Sequence, residues 1–143
     1  MLDPAVLFEG EDGAAQVIAE FEVGTASEFG LKVRTGPGEE TLIGYNVPAG
    51  ELFVDRTKSG QAAFSNLFPS REAAPLAAKK GRVELHIFVD WSSVEVFAGD
   101  GRVVITDQIF PKPSSDGLSL FANGGIARLV SLHIWQLRSI WDK

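Results

Sequence analysis

Glu84-Leu-His-Ile-Phe-Val-Asp-Trp-Ser-Ser-Val-Glu-Val-Phe-Ala-Gly-Asp-Gly-Arg-Val-Val-Ile-Thr106 reads as three β-strands separated by two tight turns. Leu85, Ile87 and Val89 are apolar while Glu84, His86 and Asp90 are polar, the period-2 signature of a strand with one buried face. Phe88 breaks the polar side. After a turn at Trp91-Ser92-Ser93, Val94 and Val96 resume the alternation around Glu95. Gly99-Asp100-Gly101 supplies the Asp-Gly pair favoured by two-residue hairpins, whose turn positions need φ > 0, and Arg102 to Thr106 is the return strand.

Composition frames this meander. A chain of 143 residues is one domain by length, spanning residues 1–143, and can bury roughly 68% of its unfolded surface. A hydrophobic share of 45% against 22% charged is that of a globular protein, and 15 Gly with 7 Pro at scattered positions mark many turns. A net charge of −6 argues against nucleic acid or an anionic membrane as partner, since both require a basic face. The absence of cysteine removes disulfides, thiolate nucleophiles and cysteine zinc sites, and leaves the redox compartment open. The first residues lack a basic segment followed by a long apolar run, so they read as neither signal peptide nor anchor; an exported protein would carry its signal upstream. Localisation is therefore open.

Along the chain, Ala5 to Phe8 suggests an edge strand and Gln16 to Val23 a strand with a mostly wet outer face. Phe29, Leu31 and Val33 alternate in the next. Thr41 to Val47 and Glu51 to Arg56 form a hairpin through Pro48-Ala49-Gly50, with Leu52 and Val54 inward and Glu51, Phe53 and Asp55 outward. Thr57 to Lys80 shows no clear period and reads as a long loop pinned by Phe64 and Phe68, with Glu72 to Lys80 a weak helical candidate interrupted by Pro75. Gln108 to Gly117 is a Pro/Ser connection, Leu118 to Ala122 a short strand, and Ala127 to Leu137 a long final strand, with Ile140 and Trp141 tying down the end. Nine or ten strands at this spacing give an all-β fold, read as a two-sheet antiparallel β-sandwich.

The chemistry-bearing residues give little sign of catalysis. Asp90 and Glu95 could be read as the carboxylate pair of a glycosidase, but they flank a turn rather than a cleft. His86 and His133 lie on separate strands without a third ligand, so no metal and no cofactor is expected. No nucleophile elbow, phosphate loop or dinucleotide fingerprint is present. Trp91, Trp135, Trp141 and Tyr45 could stack on sugar rings, while Trp135 and Trp141 beside Ile134 and Ile140 equally suit a core or an interface.

Phe88-Val89-Asp90-Trp91-Ser92-Ser93-Val94-Glu95-Val96-Phe97, followed by Asp100-Gly101 and Asp107-Gln108-Ile109-Phe110-Pro111, resembles the C-terminal β-sandwich domain of glycoside hydrolase family 32, the levanases, inulinases and invertases. Glu28 to Arg34, Glu51 to Thr57 and Leu120 to Gly125 extend the likeness in the family's order, although the family usually has Arg where this chain has Trp91. The resemblance implies a jelly-roll or concanavalin-like sandwich and an accessory role. In the family, catalysis belongs to a preceding five-bladed propeller whose Trp-Met-Asn-Asp-Pro-Asn-Gly, Arg-Asp-Pro and Glu-Cys motifs this chain lacks. It is therefore expected not to be an enzyme by itself, its parent being a fructan hydrolase and extracellular if secreted.

Related sandwiches of carbohydrate-binding module family 66 hold terminal fructosyl units, which implies fructan or fructose as partner. Asp55, Arg56, Asp90 and Glu95 are the expected pocket, with Trp91 or Tyr45 as platform. The competing expectation is structural support: a face packed on the propeller or on a second copy, marked by a bare apolar patch near Phe8, Phe53 or Trp141 and by self-association of the isolated domain.

Overall fold

The computed structural model describes residues 14–58, 71–90, 93–99, 101–109 and 117–137. They form ten strands: β1 (Ala14–Glu22), β2 (Glu28–Gly36), β3 (Glu39–Asn46), β4 (Glu51–Lys58), β5 (Arg71–Pro75), β6 (Arg82–Val89), β7 (Ser93–Ala98), β8 (Val103–Gln108), β9 (Gly117–Asn123) and β10 (Arg128–Leu137). They make two five-stranded sheets, sheet A in the order β10-β1-β6-β7-β8 and sheet B in the order β5-β4-β3-β2-β9. Every pairing is antiparallel, as expected from the meander.

Alternation builds the core. Sheet A turns Ala15, Val17, Ala19 and Phe21 of β1, Leu85, Ile87 and Val89 of β6 and Val94 and Val96 of β7 toward Phe29, Leu31 and Val33 of β2, Ile43 of β3 and Leu52 and Val54 of β4, all buried. Each such aliphatic side chain contributes about 1.5–3 kcal/mol relative to exposure, so a one-residue slip in any strand is strongly selected against.

Several local expectations change. The Gly99–Arg102 turn is a four-residue connection, since Ala98 pairs with Val103, and positive φ falls on Gly99 (61°) and Gly101 (84°). The stretch read as one long loop contains β5, whose Arg71–Asp55 to Pro75–Glu51 register adds an edge strand to β4. The helical candidate is overturned by the same strand: Pro75 is its last residue, where a missing N–H costs nothing on a free edge. Beyond it Leu76 is buried and its N–H donates to the Gly50 carbonyl at 2.8 Å. The expected strand at Ala5–Phe8, the pins Phe64 and Phe68 and the terminal Ile140 and Trp141 lie outside the described residues.

The core is apolar except at one end. There Arg34, held at φ 50° by a bulge between Val33 and Gly36, Thr41 and Asp107 are buried.

Candidate functional site

Of the six residues expected to line a sugar pocket, the five that are described, Asp55, Arg56, Asp90, Glu95 and Tyr45, do not converge. Asp55 faces outward on sheet B, where its Oδ2 lies 3.7 Å from Arg71 Nη1. Arg71 lies across the Phe53 ring, 3.8 Å from guanidinium carbon to centroid, and pairs with Glu28 on β2. Arg56, the next residue along β4, points the opposite way, between Glu72 (Nη2–Oε1 3.4 Å) and Asp107 (Nε–Oδ1 3.9 Å). Adjacent strand residues project to opposite faces, so Asp55 and Arg56 cannot share one ligand.

Asp90 caps the β6–β7 turn: its Oδ1 accepts from Ser93 N at 2.7 Å and from Ser93 Oγ at 2.9 Å, and its own N–H donates to the Ser93 carbonyl at 3.0 Å. This is the local side-chain bonding by which Asp shapes turns. Glu95 sits on the outer face of sheet A between Phe88 and Thr106, and accepts from Thr106 Oγ1 at 3.3 Å. Trp91 lies outside the described residues. Tyr45 is in the core: its ring meets Phe29 at 5.8 Å between centroids and its hydroxyl donates to the Leu76 carbonyl at 2.7 Å. A ring buried between the sheets offers no stacking platform.

Of the positions where an apolar patch was expected, Phe8 and Trp141 lie outside the described residues. Phe53 does face outward but is 1% exposed. Among the described residues, three of the five exposed large hydrophobic side chains, Phe88, Val104 and Trp135, stand on the outer face of sheet A. One ladder row across it runs Trp135, Gln16, Phe88, Glu95 and Thr106, and the next runs His133, Ile18, His86, Phe97 and Val104. Phe88 is 36% exposed, Trp135 46% and Val104 47%. Phe88 meets Phe97 edge-on at 5.9 Å, and His133 stacks on Trp135 at 5.8 Å, two ring pairs on one strip of the sheet with Gln16 and Ile18 of β1 between them. The signal was in the sequence: Ile18, Phe88, Phe97 and Val104 are apolar at the positions their strands reserve for the wet side.

Below this strip the β5–β6 loop and the β7–β8 turn enclose an open groove of about 1290 Å³. Its walls mix Glu20, Glu84 and His86 with Lys80, Arg102 and the Phe97 ring. His86 Nε2 and Glu84 Oε1 are 2.9 Å apart within it. Among the described residues no cluster of His, Asp and Glu is spaced to hold a metal ion.

Comparison with known proteins gives this geometry its context. Levanase from Bacillus sp. strain L7 is 48% identical over 132 residues, covering 90% of this chain and 14% of that protein. Levanase from Bacillus subtilis strain 168 is 48% identical over 136 residues, covering 92% of this chain and 20% of its relative. The crystal structure of exo-inulinase from Aspergillus awamori superposes with a TM-score of 0.89 at 35% identity, over 98% of this chain and 27% of the inulinase. The chain thus spans a fifth or less of these levanases. The family model described as "Glycosyl hydrolases family 32 C terminal" matches residues 5–136, nearly the whole of the sandwich and its flanks, and the chain belongs to that family of C-terminal domains.

Proposed function

We propose that this chain is the non-catalytic accessory domain of a fructan-hydrolysing enzyme, and that it supports the enzyme by docking a sheet face against the catalytic propeller. The observation that carries this reading is the aromatic strip on sheet A, with Phe88, Val104 and Trp135 between 36% and 47% exposed. Large side chains grouped on one sheet face are a liability in a free domain and an asset in a docked one. The partner follows from proportion, since 80% or more of each levanase relative lies outside the part this chain matches. One of the relatives is named an extracellular exo-inulinase, which supports a secreted parent.

A second reading, recognition of fructosyl units, is favoured by the groove beneath the strip. Carboxylates there accept from sugar hydroxyls, Arg102 and Lys80 donate, and Phe97 offers an apolar surface. A site so open would bind weakly, at roughly millimolar to micromolar strength.

One set of measurements separates the two. Sedimentation velocity of the isolated domain should show concentration-dependent self-association, and the propeller expressed separately should bind it. Replacing Phe88, Val104 and Trp135 together by Ser should abolish both. A monomer at high concentration that ignores the propeller would end the docking proposal. Calorimetric titration with levan and inulin tests the second reading, and the absence of heat at high protein concentration would remove it.

A further inference from the structure

β8 is the last strand of sheet A and β5 the last of sheet B, and along this edge β8 packs on β5 and β4. Asp107 of β8 continues the inward row of Ile105 and is 6% exposed. Arg56 of β4 continues the inward row of Leu52 and Val54, and Glu72 of β5 stands beside Val54 in the ladder. The guanidinium therefore lies between two carboxyl groups belonging to opposite sheets, at 3.4 Å from Glu72 and 3.9 Å from Asp107. Both contacts are looser than a bidentate pair, and Asp107 Oδ2 is buried without a hydrogen bond.

We propose that Asp107, Glu72 and Arg56 form a pH-responsive latch that holds the β8–β5 edge of the sandwich closed when Asp107 carries a proton and loosens it when Asp107 is charged. The Arg56 guanidinium faces two carboxyl groups, of which Asp107 is withdrawn from water (side chain 5% exposed) and Glu72 is partly solvated (37%), so a charge on Asp107 is poorly compensated by water and shares its one cation with Glu72. Asp107 is accordingly pushed up to about 7, chiefly by burial, with the facing Glu72 adding to the shift and Arg56 partly offsetting it. Its ladder partner on β7 is Val94, so the charged groups facing it among the described residues are Arg56 from β4 and Glu72 from β5.

The sign follows from linkage. With a folded value near 7 and an unfolded value near the ordinary 3.8, the folded state binds the proton more tightly. The contribution to stability is complete below the unfolded value, declines as pH rises through the window between the two, and is gone above about 7. β5 is the element set to respond, because it is five residues long and, among the described residues, its backbone ladder runs to β4 on one side alone.

The test is amide exchange of the whole chain, corrected for intrinsic rates, on either side of the Asp107 midpoint at pH about 6 and about 8. Exchange in β5 and β8 should rise by up to about tenfold at the higher pH while the β1–β6 centre of sheet A stays constant. Asp107→Asn, which keeps a neutral group of the same shape, should remove that rise, and Glu72→Gln should shrink it. If Asp107→Asn does not fold, the wild-type profile and Glu72→Gln decide the matter. Edge exchange that ignores pH in the wild type, or a full response persisting in either variant, would overturn the latch.

Discussion

Gly44 shows how much a single position can carry. It lies on the outer face of β3 opposite Gly30 of β2 and beside Phe53 of β4, while Phe121 of β9 flanks Gly30. The two phenyl rings close over the glycines from either side. A Cβ on Gly44 would stand 2.5 Å from the Phe29 carbonyl oxygen, 2.9 Å from Phe53 Cζ and 3.0 Å from Phe121 Cζ. The rings could rotate away, but the Phe29 carbonyl is ladder backbone and cannot. Gly44→Ala should therefore destabilise the domain by about 2–4 kcal/mol in urea unfolding, against the few tenths expected of an exposed strand glycine. The close backbone approach explains a glycine that alternation alone leaves without a reason.

At the scale of elements, most of the fold was legible because most strands have one wet face. β2, β3, β6 and β7 follow from the alternation in 29–33, 41–47, 85–90 and 94–96, to within a few residues at their ends. β5 was not legible, for a physical reason. Arg-Glu-Ala-Ala-Pro carries no large apolar residue, and its burial pattern comes from its place at the sheet edge rather than from its side chains. What fixes it is tertiary: Leu76 just beyond it is buried, and the Tyr45 hydroxyl donates to the Leu76 carbonyl at 2.7 Å. That bond explains why Tyr45, which looks like a sugar platform by residue type, belongs to the core. Tyr45→Phe keeps the ring and removes the donor, so it should lower stability by about 1–2 kcal/mol, read as an earlier denaturation midpoint with an unchanged slope.

For the molecule as a whole, the fold was written in the sequence and the pocket was not, because strand-end position and residue type do not say which face a side chain takes. Asp55 and Arg56 are neighbours in sequence and stand on opposite sides of sheet B, and Asp90 is consumed by its own turn. The out-of-phase Ile18, Phe88, Phe97 and Val104 were the better signal, since the core has no use for them. Their separation from the core makes association and stability independent properties. Leu85, fully buried between the sheets, should cost about 2–5 kcal/mol as Leu85→Ala. Val104→Thr and Trp135→Ser remove only partly exposed surface on the far side of sheet A, and each should change stability by about 1 kcal/mol or less. The same two substitutions should raise the concentration at which the isolated domain associates. A loss of stability as large as that of Leu85→Ala would mean that the strip is held by contacts within the domain rather than left bare for a partner, and the docking role would fail with it.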